Sequence, residues 1–177
     1  EGMHKTTGEA GGTTAGEVER LVRLYSDSIL RLSYSYLRST HDAEDICQDV
    51  LLKLLTARPS FASGEHERAW VIRTTANACK DQLRAARRKD TTLEGAREPA
   101  TEGDPTFQGL LDEEADLLRV LRELPDQYRE VIHLHYFEEL PLREIARMTG
   151  VSEAAATKRL SRARKLLRTR LAEQGDC

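Results

Sequence analysis

Three groups of side chains in this sequence have the types and spacing to do chemistry. Residues 158–170, KRLSRARKLLRTR, are a run of cations that would suit a polyanion. Residues 41–50, HDAEDICQDV, carry Asp42, Glu44, Asp45 and Asp49, with no Lys or Arg until Lys53. A helix that only needs solubility usually mixes signs, because an acid followed four residues later by Lys adds a few tenths of a kcal/mol. By itself a one-signed face reads as a plain solvated surface, and its purpose is left open by the charges alone. The third group is His133, His135 and Glu138, which could suggest a metal site. His-x-His on a helix, however, sets the two rings about 200° apart, too far round to share one ion. No phosphate loop, nucleophile motif or second ligand cluster accompanies them. Catalysis by this chain is not expected, and neither is a metal or a cofactor.

The bulk composition narrows the frame that must carry these groups. At 177 residues the chain can make one domain or two small ones. Charged residues are 32% and aromatics 5%, a balance that suits small helical bundles. No run of about 18 apolar residues is present, so membrane insertion is not expected. The start, EGMHKTTGEAGGTTAGE, lacks the apolar centre of a secretory leader and reads, over residues 1–16, as a disordered tail. Cys47, Cys79 and Cys177 are odd in number and lack CxxC spacing, which argues against a disulfide framework or a zinc site. Cys47 and Cys79 fall near apolar stripes and are expected as buried free thiols in a reducing cytosol.

Net charge, −3, conceals a pattern. Residues 84–89, RAARRK, and 158–170 are basic; residues 90–116 between them hold nine acids against the single Arg97. Two basic stretches divided by an acidic spacer point to two contacts with a polyanion. Apolar residues recur at helical spacing over 17–38 (Val18, Leu21, Val22, Tyr25, Ile29, Leu32, Tyr36), over 42–57 (Ala43, Ile46, Val50, Leu51, Leu54) and over 66–89 (Ala69, Ile72, Ala76, Cys79, Leu83). Asp45, Gln48 and Asp49 lie off the second stripe. Arg73, Asn77, Lys80, Arg84 and Arg87 step by four and three along the side of the third helix opposite its stripe. Pro59 and Gly64 punctuate the loop before it. Three amphipathic helices with short connections suffice for a bundle. Periodicity lapses over 90–111, a linker whose flexible span would be roughly 25 Å, and returns at 112–123. Pro125 marks a further helix start. No alternating strand pattern is present. The expected fold is all-α: two small helical domains joined by an acidic flexible linker.

The segment EIARMTGVSEAAATKRL is laid out as a helix-turn-helix. Leu142, Ile145 and Ala146 face inward on its first helix, and Gly150 fits the left-handed position that ends it. Val151 can staple onto Ala156, and Ser152 can cap the second helix. Ala156, Leu160, Ala163 and Leu167 then face the core, leaving Ala154, Thr157, Lys158, Ser161, Arg162 and Lys165 outward. Small residues permit close approach to a groove, and Lys and Arg reach guanine acceptors or phosphates.

The order DAEDICQDV, then AWVIRTTANACKDQLRAARR, then LRELPDQYREVIHLHYFEELPLREIARMTGVSEAAATKRLSRARK resembles the extracytoplasmic-function (ECF) sigma factors of bacteria, of the sigma-70 family. The likeness covers about residues 17–89 and 112–170. It implies a sigma region 2 over 17–89, a linker over 90–111 and a sigma region 4 over 112–177. It further implies that Asp45, Gln48 and Asp49 dock on the clamp helices of the largest subunit of core RNA polymerase, with the polymerase flap as a further contact. Arg73, Asn77, Lys80, Arg84, Arg87 and Arg88 would then read and help melt the −10 element. The loop from Pro59 to Glu67 would hold a flipped base. Ala154, Thr157, Lys158, Ser161, Arg162 and Lys165 would address the −35 element.

The expected partners are core polymerase, promoter DNA and a restraining anti-sigma factor, and the expected location is the bacterial cytoplasm. Nucleotide chemistry and its Mg²⁺ would belong to the polymerase. The sequence departs from the family where Ala154-Ala155-Ala156-Thr157-Lys158 replaces a usual Gly-Thr-Val-Lys-Ser, which bears on −35 preference, and where Pro141-Leu142 replaces Ser-Tyr. The rival reading is a helix-turn-helix regulator that binds symmetric DNA sites without polymerase.

Overall fold

The computed structural model describes residues 14–90 and 120–175. The linker, residues 112–119 where helical periodicity is expected to return, most of the amino-terminal tail, Asp176 and Cys177 lie outside the described residues. All regular structure among the described residues is helical.

Helix α1 spans Ala15–Leu37, α2 Thr40–Ala57 and α3 Gly64–Asp90. Their limits follow from capping. Thr14 accepts a hydrogen bond from the Glu17 amide, Ser39 from that of Asp42, and Ser63 from that of His66. Helices α1 and α2 end on Arg38 and Arg58 in the left-handed region, at φ of 54° and 41°. Neither is glycine, so each costs about 1 kcal/mol. At Arg38 this is offset by its own amide bonding Tyr34 O and its guanidinium bonding Arg122 O. Acids in the first turn of α3 (Glu65, Glu67) and cations in its last (Arg87, Arg88, Lys89) match the helix dipole.

The three helices bury Leu21, Tyr25, Ile29, Leu37, Ile46, Cys47, Val50, Leu54, Val71 and Cys79 in a first core. Leu51, Trp70 and Leu83 pack at its margin. A polar clasp closes its open end: Glu67 of α3 takes two hydrogen bonds from Arg20, at 3.1 and 3.2 Å, and one from the Tyr25 hydroxyl at 2.5 Å.

After residues 120–123, which are helical, α4 spans Asp126–Ile132 with Pro125 at its cap. It runs directly into a five-residue π-helical turn, His133–Phe137. Glu139, at φ 53°, then reverses the chain into α5, Leu142–Thr149. Gly150, at φ 68°, closes α5, and the Val151 amide bonds Ala146 O at 3.0 Å. Helix α6 spans Glu153–Gly175, with Ser152 accepting from the Ala155 amide.

The second core does not close on itself. Leu121, Leu124, Val131, Ile132, Leu134, Leu140, Ile145, Leu160 and Ala163 bury together with Leu32 of α1 and Ile72 and Ala76 of α3. The two helical units, expected as separate bodies on a tether, thus stand side by side over a shared apolar seam. Helix α3 serves both cores: Val71 and Cys79 face the first, Ile72 and Ala76 the second.

Two expectations can be measured here. Burial opposes ionisation of Glu67, but the bonds from Arg20 and Tyr25 outweigh it and hold its carboxyl below the usual 4.5. A folded-state pKa below the unfolded one stabilises above the unfolded value and loses that stabilisation as pH falls through the folded one. Glu67→Gln should therefore lower stability by about 1 kcal/mol at pH 7, with the gap to the parent chain shrinking below pH 4.5 in urea titrations. Burial also pushes the Cys79 thiol up to about 11 and raises that of Cys47. In a Cys177→Ser background at pH 8, iodoacetamide should label native Cys79 about a hundredfold more slowly than the unfolded chain, from thiolate fraction alone, and faster as pH rises.

Candidate functional site

Helix α2 buries Ala43, Ile46, Cys47, Val50 and Leu54, which turns Asp45, Gln48 and Asp49 to solvent, and all three are exposed. Glu44 and Lys53 are exposed beside them. His41 sits 3.6 Å from Asp45 at the helix start, both well exposed. Sequence reasoning missed Leu52. It is 56% exposed, and its spacing of seven from Asp45 and three from Asp49 puts it within the acidic face. A large apolar side chain ringed by polar groups is the usual anatomy of a protein contact. The available signal was its phase, two residues from buried Val50 and so on the opposite side of the helix.

On α6, Ala156, Leu160 and Ala163 are buried and Leu167 is half-buried. All six outward candidates, Ala154, Thr157, Lys158, Ser161, Arg162 and Lys165, are exposed. They follow the helix's i, i+3, i+4 rows and so form one strip. The Thr157 hydroxyl donates back to Glu153 O at 2.9 Å, which leaves its oxygen free to accept but occupies its proton. Two cations on the other flanks have internal partners: Arg164 bonds the Tyr136 hydroxyl and stacks over its ring, and Arg170 lies 3.6 Å from Glu123. The helix-turn-helix therefore presents a continuous strip of small and cationic side chains.

Helix α3 is less open than its sequence implies. Arg73, Asn77, Arg84, Arg87 and Arg88 are exposed, but Lys80 is half-buried. Its ammonium lies 2.8 Å from Glu130 of α4 and donates to Met148 O of α5 at 3.0 Å. Arg73 and Asn77 line a cleft of about 210 Å³ whose other wall is Glu144, Arg147 and Met148 of α5. Asp81 pairs with Arg84 at 2.7 Å on the surface. In the loop before α3, Phe61 meets His66 and Trp70 edge-on, with ring centroids 5.4 and 5.9 Å apart. The Ala62 amide donates to His66 Nδ1 at 3.2 Å.

The histidines part company as their spacing requires. His133 is buried, stacks on Phe137 and lies 3.3 Å from Glu138. His135 Nδ1 lies 3.4 Å from Leu140 O instead. Among the described residues no group of three His, Cys, Asp or Glu is placed to hold a metal ion, and no helix is long and apolar enough to cross a membrane. The chemistry available is recognition: an anionic face with an apolar centre on α2, and cationic faces on α3 and α6.

Known proteins share this plan. Residues 21–89 match the family described as Sigma-70 region 2, and residues 114–167 that described as Sigma-70, region 4. The ECF RNA polymerase sigma factor SigW of Bacillus subtilis is 30% identical over 164 residues, covering 85% of this chain and 87% of its own. The RNA polymerase sigma factor SigV of the same organism is 28% identical, covering 92% and 95%. Among solved structures, the sigma factor RpoE in complex with the anti-sigma factor NepR from Bartonella quintana superposes with a TM-score of 0.73 at 25% identity, covering 89% of this chain and 98% of that one. Matches to both regions in order, and a relative 30% identical over most of both chains, show that the chain belongs to the ECF RNA polymerase sigma factors, and that it binds core polymerase and directs it to promoters.

Proposed function

We propose a division of labour for this sigma factor: residues 17–89 grip core polymerase and open the −10 element, and residues 112–177 address the −35 element. The observation that carries it is the exposed face of Asp45, Gln48 and Asp49 beside Leu52, on the side of α2 turned away from its core. Basic residues on the clamp helices of the polymerase largest subunit supply the counter-charge, and Leu52 supplies desolvated contact at the centre. Burying an apolar anchor inside a ring of charge pairs gives both affinity and register.

Arg73, Asn77, Lys80, Arg84, Arg87 and Arg88 of α3 contact the −10 strand, with cations on its backbone and Asn77 suited to a base edge. The Phe61–His66–Trp70 cluster beside them offers ring surfaces for an unpaired base. On α6, Lys158, Arg162 and Lys165 meet acceptors or phosphates in the major groove, while Ala154, Thr157 and Ser161 allow the approach. Promoter DNA and the polymerase clamp and flap are the working partners, and the setting is the bacterial cytoplasm. An anti-sigma factor is the expected restraint, supported by the similarity to a sigma factor solved with one bound. The chain itself performs no chemical step: it positions the polymerase.

Reversing the charge of the docking face tests the division. Asp45→Lys with Asp49→Lys should abolish co-elution with core polymerase while far-UV circular dichroism stays unchanged, because both side chains are exposed. Retained co-elution moves the docking face elsewhere. Lys158→Ala and Arg162→Ala should each cost about 1–3 kcal/mol if they read bases, measured as lost initiation from −35-dependent promoters. If they contact phosphates instead, each should lower the salt dependence of promoter binding by about one unit.

A further inference from the structure

Helix α6 keeps its cations and its small side chains on different sides of one exposed strip. At about 100° per residue, Lys158, Arg162 and Lys165 fall along one shoulder, and Ala154, Thr157 and Ser161 along the other. Position 157, where the family pattern places Lys, is Thr in this chain, and the cation stands at 158 instead. That shift carries the first positive charge of the strip about 100° round the helix.

The two shoulders hold opposite hydrogen-bonding inventories. Ala154 offers a bare methyl. Thr157 spends its hydroxyl proton on Glu153 O, at 2.9 Å. That bond turns Oγ1 back onto the helix, so the side chain presents outward its γ-methyl and a lone pair, with no proton to give. Glu153, exposed in the same turn, is an acceptor when ionised. Lys158 and Arg162 are donors only.

Base pairs in the major groove sort against these inventories. A T·A pair shows the thymine methyl and the adenine amino group; a G·C pair shows the guanine N7 and O6 acceptors. The methyls of Ala154 and Thr157 suit the first, and the Thr157 oxygen accepts from an adenine amino group. Guanine in that place would give up water and find no proton for N7 or O6, an unmatched polar burial. Beside Lys158 and Arg162 the balance reverses, and guanine acceptors are matched.

We infer that Thr157 and Ala154 are specificity-determining residues of the −35 reading head: they select a T·A pair through the thymine methyl, and Lys158 and Arg162 select guanine next to it. The inference rests on the assignment of α6 to the −35 element and adds the chemistry read there. Because the group recognised is a methyl on pyrimidine C5, 5-methylcytosine at that step supplies part of the thymine contact.

Run-off transcription with core polymerase and the full-length chain, on a promoter library randomised across the −35 element, reads the preference. One step should favour T·A over G·C in the parent chain and change to G·C in Thr157→Lys, which puts a donor back. A library in which no step responds to Thr157, or in which the responding step is G·C for the parent, overturns the inference. Deoxyuridine at the responding step then removes the methyl alone. It should slow open-complex formation about threefold for the parent chain, and by less for Thr157→Ser, which keeps the hydroxyl and lacks the methyl. In a promoter with cytosine there, 5-methylcytosine should speed it about twofold. Equal rates with thymine and deoxyuridine overturn the methyl contact. Lys158→Ala/Arg162→Ala reads the −35 assignment separately on the same promoters. Lost −35 dependence with a silent deoxyuridine overturns the methyl contact alone; retained −35 dependence overturns the assignment of α6, and the inference with it.

Discussion

Helix α3 has apolar side chains on two adjacent flanks, and a helix so built must be covered twice. Val71 and Cys79 are satisfied by α1 and α2, Ile72 and Ala76 only by Leu32 and the carboxy-terminal core. Exposing fully buried side chains of that size costs on the order of 1–3 kcal/mol each. This requirement draws the two units together, and most of the molecule's polar architecture follows from it. Once the seam closes, Tyr36, Lys80, Ser28 and Arg68 lose water and need partners, which Glu130 and Glu138 provide.

The functional surfaces divide according to that seam. The acidic face of α2 and the cationic strip of α6 lie on the far side of their helices from any core, so their charges remain in water and available. The basic side of α3 borders the second core, and its Lys80 is spent on internal bonds. Burial of Tyr36 raises its hydroxyl well above the usual range, with the Glu130 carboxylate adding to the effect, so it remains a donor. Arg129, buried beneath the seam, is held by Leu124 O, Arg122 O and Asp126, and burial pulls its guanidinium below its ordinary value. Among Arg73, Asn77, Lys80, Arg84, Arg87 and Arg88 of α3, Lys80 alone is half-buried at the seam, while the other five stay exposed.

Elements governed by short-range physics were legible in the residues. Capping by Ser39 and Ser152, the left-handed Gly150, the inward Ala156–Leu160–Ala163 stripe and the exposure of Asp45, Gln48 and Asp49 all follow from neighbours within one or two turns. Buried Cys47 and Cys79 likewise sit where the apolar period puts them. The π turn was not legible. His133–Phe137 continues a helical period, and only Glu138's need for partners on α1 and α3 distinguishes the wider turn.

The amino-acid sequence by itself determined the helices, their inner and outer faces, the helix-turn-helix and the family, because periodicity, capping and motif order are properties of residues near one another in the chain. Tertiary structure alone decided that Ile72 and Ala76 belong to a second core and that Lys80 faces Glu130 rather than solvent. Those facts depend on which of several apolar flanks meets which partner fifty or more residues away. That choice is set by packing the whole chain at once, and no local pattern records it.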